Sequence, residues 1–227
     1  MGVRSHMDRD FVEQTLIDTG IVAILRLPDG LDFYPVIRGL IDGGVKVIEL
    51  TLTMKNAIPQ IGDLVRKFGQ EAVIGAGTVR TSKDALAASA AGAAFVVSPI
   101  VDLGVSEVCR TKRLAYFPGA FSPREVVEAS LLGSTMVKVF PSSVLGPKYL
   151  TELLGPFPEL SLLPTGGVSL ETAPVYLKAG ARALGVGSDL VSSGAALAGD
   201  SDRIAITAAK FRAIYDNHRP EKELGVK

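Results

Sequence analysis

Ile21-Val22-Ala23-Ile24-Leu25-Arg26-Leu27-Pro28-Asp29-Gly30 decides the fold. Five apolar residues, three of them β-branched, read as a buried strand, and Pro-Asp-Gly reads as the turn that ends it. An open doubly wound sheet would place G-x-G-x-x-G at this turn to cradle a dinucleotide, and the pattern is missing. Seven similar runs follow: Val45–Thr51, Ala72–Thr78, Ala94–Pro99, Ala115–Gly119, Met136–Pro141, Ser161–Gly166 and Ala183–Ser188. Helical patterns lie between them, at 31–42, 56–68, 82–91, 102–111, 123–132, 147–154, 170–179 and 202–216, and one more, at 9–18, precedes the first strand. Strict alternation of strand and helix means a parallel sheet. Eight such units within 227 residues predict an α/β fold, a closed (β/α)8 TIM barrel with an extra N-terminal helix.

The punctuation agrees. Gly43-Gly44, Gly69, Gly92, Gly133 and Gly180 fall where helices should stop, and Ser82, Ser122 and Ser169 fall where they should start. No linker or composition shift marks a second domain. Residues 1–6 read as an expression-tag remnant, leaving 7–227 as a single domain.

Charge and composition exclude several classes. Lys+Arg and Asp+Glu are 24 each, with no basic block, which argues against nucleic acid or a polybasic membrane surface as partner. No apolar run approaches the ~20 residues of a membrane span. Cys109 is the single cysteine, so no internal disulfide or cysteine-based metal cluster can form, and a cytoplasmic location is expected. The two histidines, His6 and His218, lie near the ends, so neither a histidine base nor a metal site is expected.

The chemistry starts at Met136-Val137-Lys138-Val139-Phe140-Pro141, a strand with a cation at its centre. Alternation puts Met136, Lys138 and Phe140 on one face. An unpaired buried ammonium is costly, and the usual escape is loss of its proton, which leaves a nucleophile. With an ordinary pKa of ~10.4, only about one lysine in 2,500 is neutral at pH 7, and desolvation can supply the missing shift. Glu49 follows Val45 and Val47 on one face of its own strand and should share the same enclosed space. The plain reading is a structural ion pair; such pairs seldom stabilise more than apolar packing. The sharper reading is a lysine nucleophile with a glutamate that shuttles protons, where either a water holds Glu49 off Lys138 or the Arg26 cation offsets its charge. The loops after the last two strands, Gly166-Gly167 and Gly187-Ser188, suit a phosphate, because exposed backbone N–H groups bind anions and glycine permits close approach.

Taken together, these strings resemble the 2-keto-3-deoxy-6-phosphogluconate (KDPG) aldolase family. The resemblance rests on residues 21–26, 47–53, 74–79, 137–141, 164–168 and 185–190, in the family's order. It implies a class I aldolase, a homotrimer needing no metal or other cofactor, that takes a phosphorylated keto acid as its small-molecule partner. Carried over, Lys138 forms the Schiff base and Glu49 moves protons. Arg26, Thr78 and Thr165 hold the pyruvyl end, and Gly166, Gly167, Gly187 and Ser188 bind phosphate. Thr53, Pro99 and Phe140 complete the candidate substrate-binding set, each with a plainer reading as strand residue, strand end or core packing.

Some members carry an arginine where this chain has Thr53, and here Arg26 supplies the cation. Phe140-Pro141-Ser142-Ser143 with Gly146-Pro147-Lys148-Tyr149 is also similar to the 6-phosphogalactonate aldolases, so both C4 epimers stay open, as does 4-hydroxy-2-oxoglutarate. Rival classes are a sugar-phosphate isomerase, a thiamin-phosphate-synthase-like transferase and a phosphate-binding non-enzyme.

Overall fold

The computed structural model describes residues 9–218. The tag assignment at residues 1–6, with His6, lies outside them. Helix α1 (Arg9–Thr19) leads into β1 (Ile21–Leu25), α2 (Tyr34–Asp42), β2 (Val47–Thr51), α3 (Ala57–Phe68), β3 (Val73–Gly77) and α4 (Ser82–Ala90). Next come β4 (Phe95–Val97), α5 (Leu103–Lys112), β5 (Ala115–Phe117), β6 (Gly119–Ala120), α6 (Pro123–Leu131) and β7 (Val137–Val139). The chain continues through α7 (Ser142–Leu145), α8 (Pro147–Leu154), β8 (Leu162–Pro164), α9 (Ala173–Lys178), β9 (Leu184–Val186), α10 (Ser193–Leu197) and α11 (Ser201–His218).

All strand pairs are parallel. One sheet runs β5-β4-β3-β2-β1-β9 and a second runs β6-β7-β8. They meet at two places. Thr165, just beyond β8, bridges to Gly185 in β9, and Arg182 N–H donates to the Leu162 carbonyl at 2.9 Å. At the other seam, Thr135 N–H donates to the Tyr116 carbonyl at 2.8 Å and Lys138 N–H to the Pro118 carbonyl at 2.9 Å. The result is a curled parallel sheet in an α/β fold.

Strand alternation divides the apolar side chains into two cores. Ile48, Leu50, Ile74, Ala76, Val137 and Val139 point outward beneath the helices. Val22, Val47, Val73, Phe95, Phe117 and Met136 point into the curl, where Val12 and Leu16 of α1 join them. Phe95 and Phe117 meet edge to face at 5.7 Å, a favoured aromatic geometry.

Several boundaries differ from the sequence expectation. The fifth strand is interrupted at Pro118, which has no N–H to donate but whose carbonyl receives Lys138 N–H. Helix α2 starts at Tyr34 rather than Leu31, because Asp32 accepts the Tyr34 N–H and Pro35 occupies the first turn. Thr81, not Ser82, caps α4. Ser169 does not cap α9; it exchanges hydrogen bonds with Thr172, and the helix begins at Ala173. Ser122 forms the expected cap as part of a full capping box with Glu125. Val45 lies before β2 and packs in the outer core, so Glu49 continues a row from Val47 alone. The short helices α7 and α10 were not expected; four or five residues carry too little periodicity to be seen.

Candidate active site

Lys138 is the central residue of β7. Its neighbours Val137 and Val139 face the outer core, which leaves the lysine pointing into the curl above Met136. It is 6% exposed. Glu49 occupies the matching inward position on β2, above Val47, and is 1% exposed. Both of its carboxylate oxygens are buried and accept no hydrogen bond. The pair is therefore not a hydrogen-bonded salt bridge, and its charges act through space.

Space for Glu49 comes from β3. A Cβ on Gly77 would overlap the Glu49 carboxylate, and one on Gly75 would strike the Phe95 ring at 2.5 Å. Glycine inside a strand weakens it, and here the missing side chain of Gly77 leaves room for the carboxylate and that of Gly75 for the Phe95 ring. Gly77 lies within the Ala72–Thr78 run, where no role was given to it. The signal was available in Gly75-Ala76-Gly77, since paired strand glycines mark close approach.

Burial is the main influence on both charged groups. It pushes the Lys138 ammonium below its ordinary pKa; the Glu49 carboxylate opposes this and the Arg26 guanidinium reinforces it. Burial pushes Glu49 above the usual carboxylate range, against the pull of Lys138 and Arg26. Arg26 follows β1 and is exposed, yet its field reaches both groups. The Phe140 ring centroid lies 4.7 Å from Lys138 Nζ. Its π face favours the ammonium and so limits the downward shift.

The remaining candidates fall into three groups. Thr78 is half-buried immediately beyond Gly77 and holds φ 58, a left-handed conformation that is an outlier for a β-branched residue. Pro99 is half-buried at the end of β4, and its carbonyl would meet a Cβ placed on Gly119. Thr165 is buried beyond β8, and its Oγ1 would meet a Cβ placed on Gly185.

Gly166 and Gly167 follow with φ 90 and 75, two left-handed residues in succession. The Thr165–Gly185 bridge joins the residue before this loop to β9, the strand that leads into Gly187 and exposed Ser188. Thr53 stands apart: it is exposed on the turn after β2, where its hydroxyl lies 3.1 Å from that of Thr51. Among the described residues no His, Cys, Asp or Glu cluster could hold a metal ion, and no helix is long and apolar enough to cross a membrane.

The arrangement is an enclosed amine, a carboxylate with unused lone pairs and glycine loops that follow the neighbouring strands β8 and β9. It can capture a ketone, move a proton and hold an anion. Comparison with known proteins points the same way. A "Probable 2-dehydro-3-deoxy-6-phosphogalactonate aldolase" of Rhizobium meliloti (strain 1021) is 32% identical over 196 residues, covering 86% of this chain and 92% of the relative. A "2-dehydro-3-deoxy-phosphogluconate aldolase" of Pseudoalteromonas atlantica is 34% identical over 185 residues, covering 81% and 86%. A Legionella pneumophila KDPG aldolase, solved with pyruvate captured as a covalent carbinolamine intermediate, superposes with TM-score 0.81 at 27% identity, covering 87% of this chain and 96% of that one. A family profile described as "KDPG and KHG aldolase" matches residues 12–207. With nearly the whole described chain inside that match, the protein belongs to the KDPG and KHG aldolase family.

Proposed function

We propose that this chain is a class I aldolase that cleaves 2-keto-3-deoxy-6-phosphogluconate to pyruvate and glyceraldehyde 3-phosphate. One observation carries the reading: a buried lysine on β7 shares the sheet interior with a buried glutamate on β2 whose oxygens are unbonded. Neutral Lys138 attacks the C2 ketone, and loss of water gives an iminium. Glu49, directly or through water, takes the C4 hydroxyl proton. The C3–C4 bond breaks, its electrons neutralise the iminium as an enamine, and the aldehyde departs. Glu49 returns a proton to C3, and hydrolysis frees pyruvate and Lys138.

Arg26, Thr78 and Thr165 hold the pyruvyl carboxylate, with Phe140 and Pro99 lining the approach. Gly166, Gly167, Gly187 and Ser188 hold the phosphate. Thr53, exposed and engaged with Thr51, is the weakest member of the set. The hydrogen bonds at both sheet seams support a closed (β/α)8 barrel with α1 as an added helix across its N-terminal end. The family likeness adds a metal-independent, cytoplasmic homotrimer.

A second reading concerns the C4 epimer, since relatives of both names match this chain at similar identity. The test joins two measurements. Borohydride reduction with pyruvate should add one pyruvyl group at Lys138 by peptide mass. Pyruvate release from the gluconate and galactonate epimers, measured in parallel, should then name the substrate. An unlabelled Lys138 in protein that still cleaves substrate would overturn the imine mechanism.

A further inference from the structure

Ser142 is fully buried at the start of α7, four residues beyond Lys138, and it uses every polar atom it has. Its hydroxyl donates to the Val139 carbonyl at 2.7 Å and accepts from Thr165 N–H at 3.1 Å. Its own N–H donates to the Thr165 carbonyl at 2.9 Å. Its carbonyl accepts from the buried Tyr176 hydroxyl at 2.8 Å and from Gly146 N–H at 2.8 Å. Val139 is the residue after the amine, and Thr165 is the residue before Gly166-Gly167. Thr165 N–H also donates to the Val139 carbonyl at 3.0 Å, so the serine side chain reinforces a backbone tie between the strand that carries the nucleophile and the residue that leads into the anion loop.

That loop cannot position itself. Two consecutive glycines at left-handed φ have no side chains to anchor, and glycine is the most conformationally free residue. Its place is set by its neighbours: the Thr172 hydroxyl donates to the Gly167 carbonyl at 3.2 Å, and on the other side a Cβ on Gly167 would come within 2.6 Å of Ser143 Cβ, the residue next to Ser142. A substrate held covalently at C2 and by phosphate at C6 needs a fixed span between amine and loop, and small displacements at such sites are expensive.

We propose that Ser142, braced by Tyr176, is a positioning residue that sets this span and so determines how well a phosphorylated substrate is held. The proposal rests on the aldolase reading and adds a determinant of phosphate affinity outside the substrate contacts. The phosphate-independent reference is half-saturation by pyruvate in borohydride trapping. In Ser142→Ala, KM for the phosphorylated keto acid should rise about fivefold to tenfold, the size of one lost hydrogen bond, with kcat held within about twofold. Pyruvate half-saturation should stay at the wild-type value.

Tyr176→Phe, which leaves the serine hydroxyl in place, should raise the same KM by a smaller factor, and it carries the test if Ser142→Ala does not fold. KM and pyruvate half-saturation rising together, or a lower melting temperature with KM unchanged, would reduce Ser142 to a structural residue and overturn the proposal. Wild-type protein that fails to trap pyruvate would instead overturn the aldolase reading itself.

Discussion

Two layers inside the curled sheet sit two residues apart on the same strands, yet they differ in kind. The lower layer is Val22, Val47, Val73 and Met136, closed from below by Val12 and Leu16 of α1. The next inward positions on three of those strands are Glu49, Gly75 and Lys138. The lower layer is a dry floor. By keeping water from beneath the upper layer it supplies the desolvation that moves both titrating groups off their ordinary values. Packing and chemistry are thus adjacent layers of one interior, and the first creates the conditions for the second.

The most drastic way to erase the contrast is to make the upper layer apolar. Lys138→Met should lower cleavage by a factor of about 10³ or more and abolish pyruvate trapping. The same change should raise stability near neutral pH, read as the urea midpoint. The sign follows from linkage. The folded pKa of Lys138 lies below its unfolded value, so the unfolded chain binds more protons between the two, and wild-type stability climbs with pH across that window. The advantage of the methionine variant should therefore be largest below the folded pKa and shrink as pH approaches ~10.4, the unfolded value.

Removing only the carboxylate is the next largest change. Glu49→Gln should slow cleavage by about 10²- to 10⁴-fold, the range for loss of a proton-transfer group, while pyruvate still traps. Because the Glu49 charge favours the ammonium, the pH inflection of trapping should move to lower pH in this variant. Arg26→Gln should move that inflection to higher pH, since its charge acts in the opposite sense. Both inflections moving the same way would show that these charges do not govern the amine.

Displacing the carboxylate without deleting it is subtler. A Cβ at Gly77 must push Glu49 aside, so Gly77→Ala should cost about 10²-fold in kcat with imine trapping retained. Wild-type turnover in that variant would mean that the position of Glu49 is not critical.

Much of this was legible in the chain, for identifiable reasons. The alternation of apolar strand and helix is a local pattern with fixed periods, and it placed β2, β3 and β7 closely enough to put Glu49 and Lys138 on inward faces. A lysine between Val137 and Val139 conflicts with its surroundings in the sequence itself, which is why the amine could be singled out without coordinates. The Val45 misreading shows the limit: alternation was extended two residues before β2 begins, where the chain is not yet a strand. Pro118 shows another, because a broken ladder depends on which partner strand needs the missing donor.

The sequence by itself determined the order of elements, the inward face of each strand and the presence of a charged group on two of them, because these follow from short-range periodicity and side-chain chemistry. Only the tertiary structure decided that Glu49 lies over Gly77 without a hydrogen bond, that the exposed Arg26 still acts on the buried pair, and that Ser142 joins the amine strand to the glycine loop. Those relations link residues dozens of positions apart. They are set by how the sheet curls and how closely its strands pack, quantities that no local pattern carries.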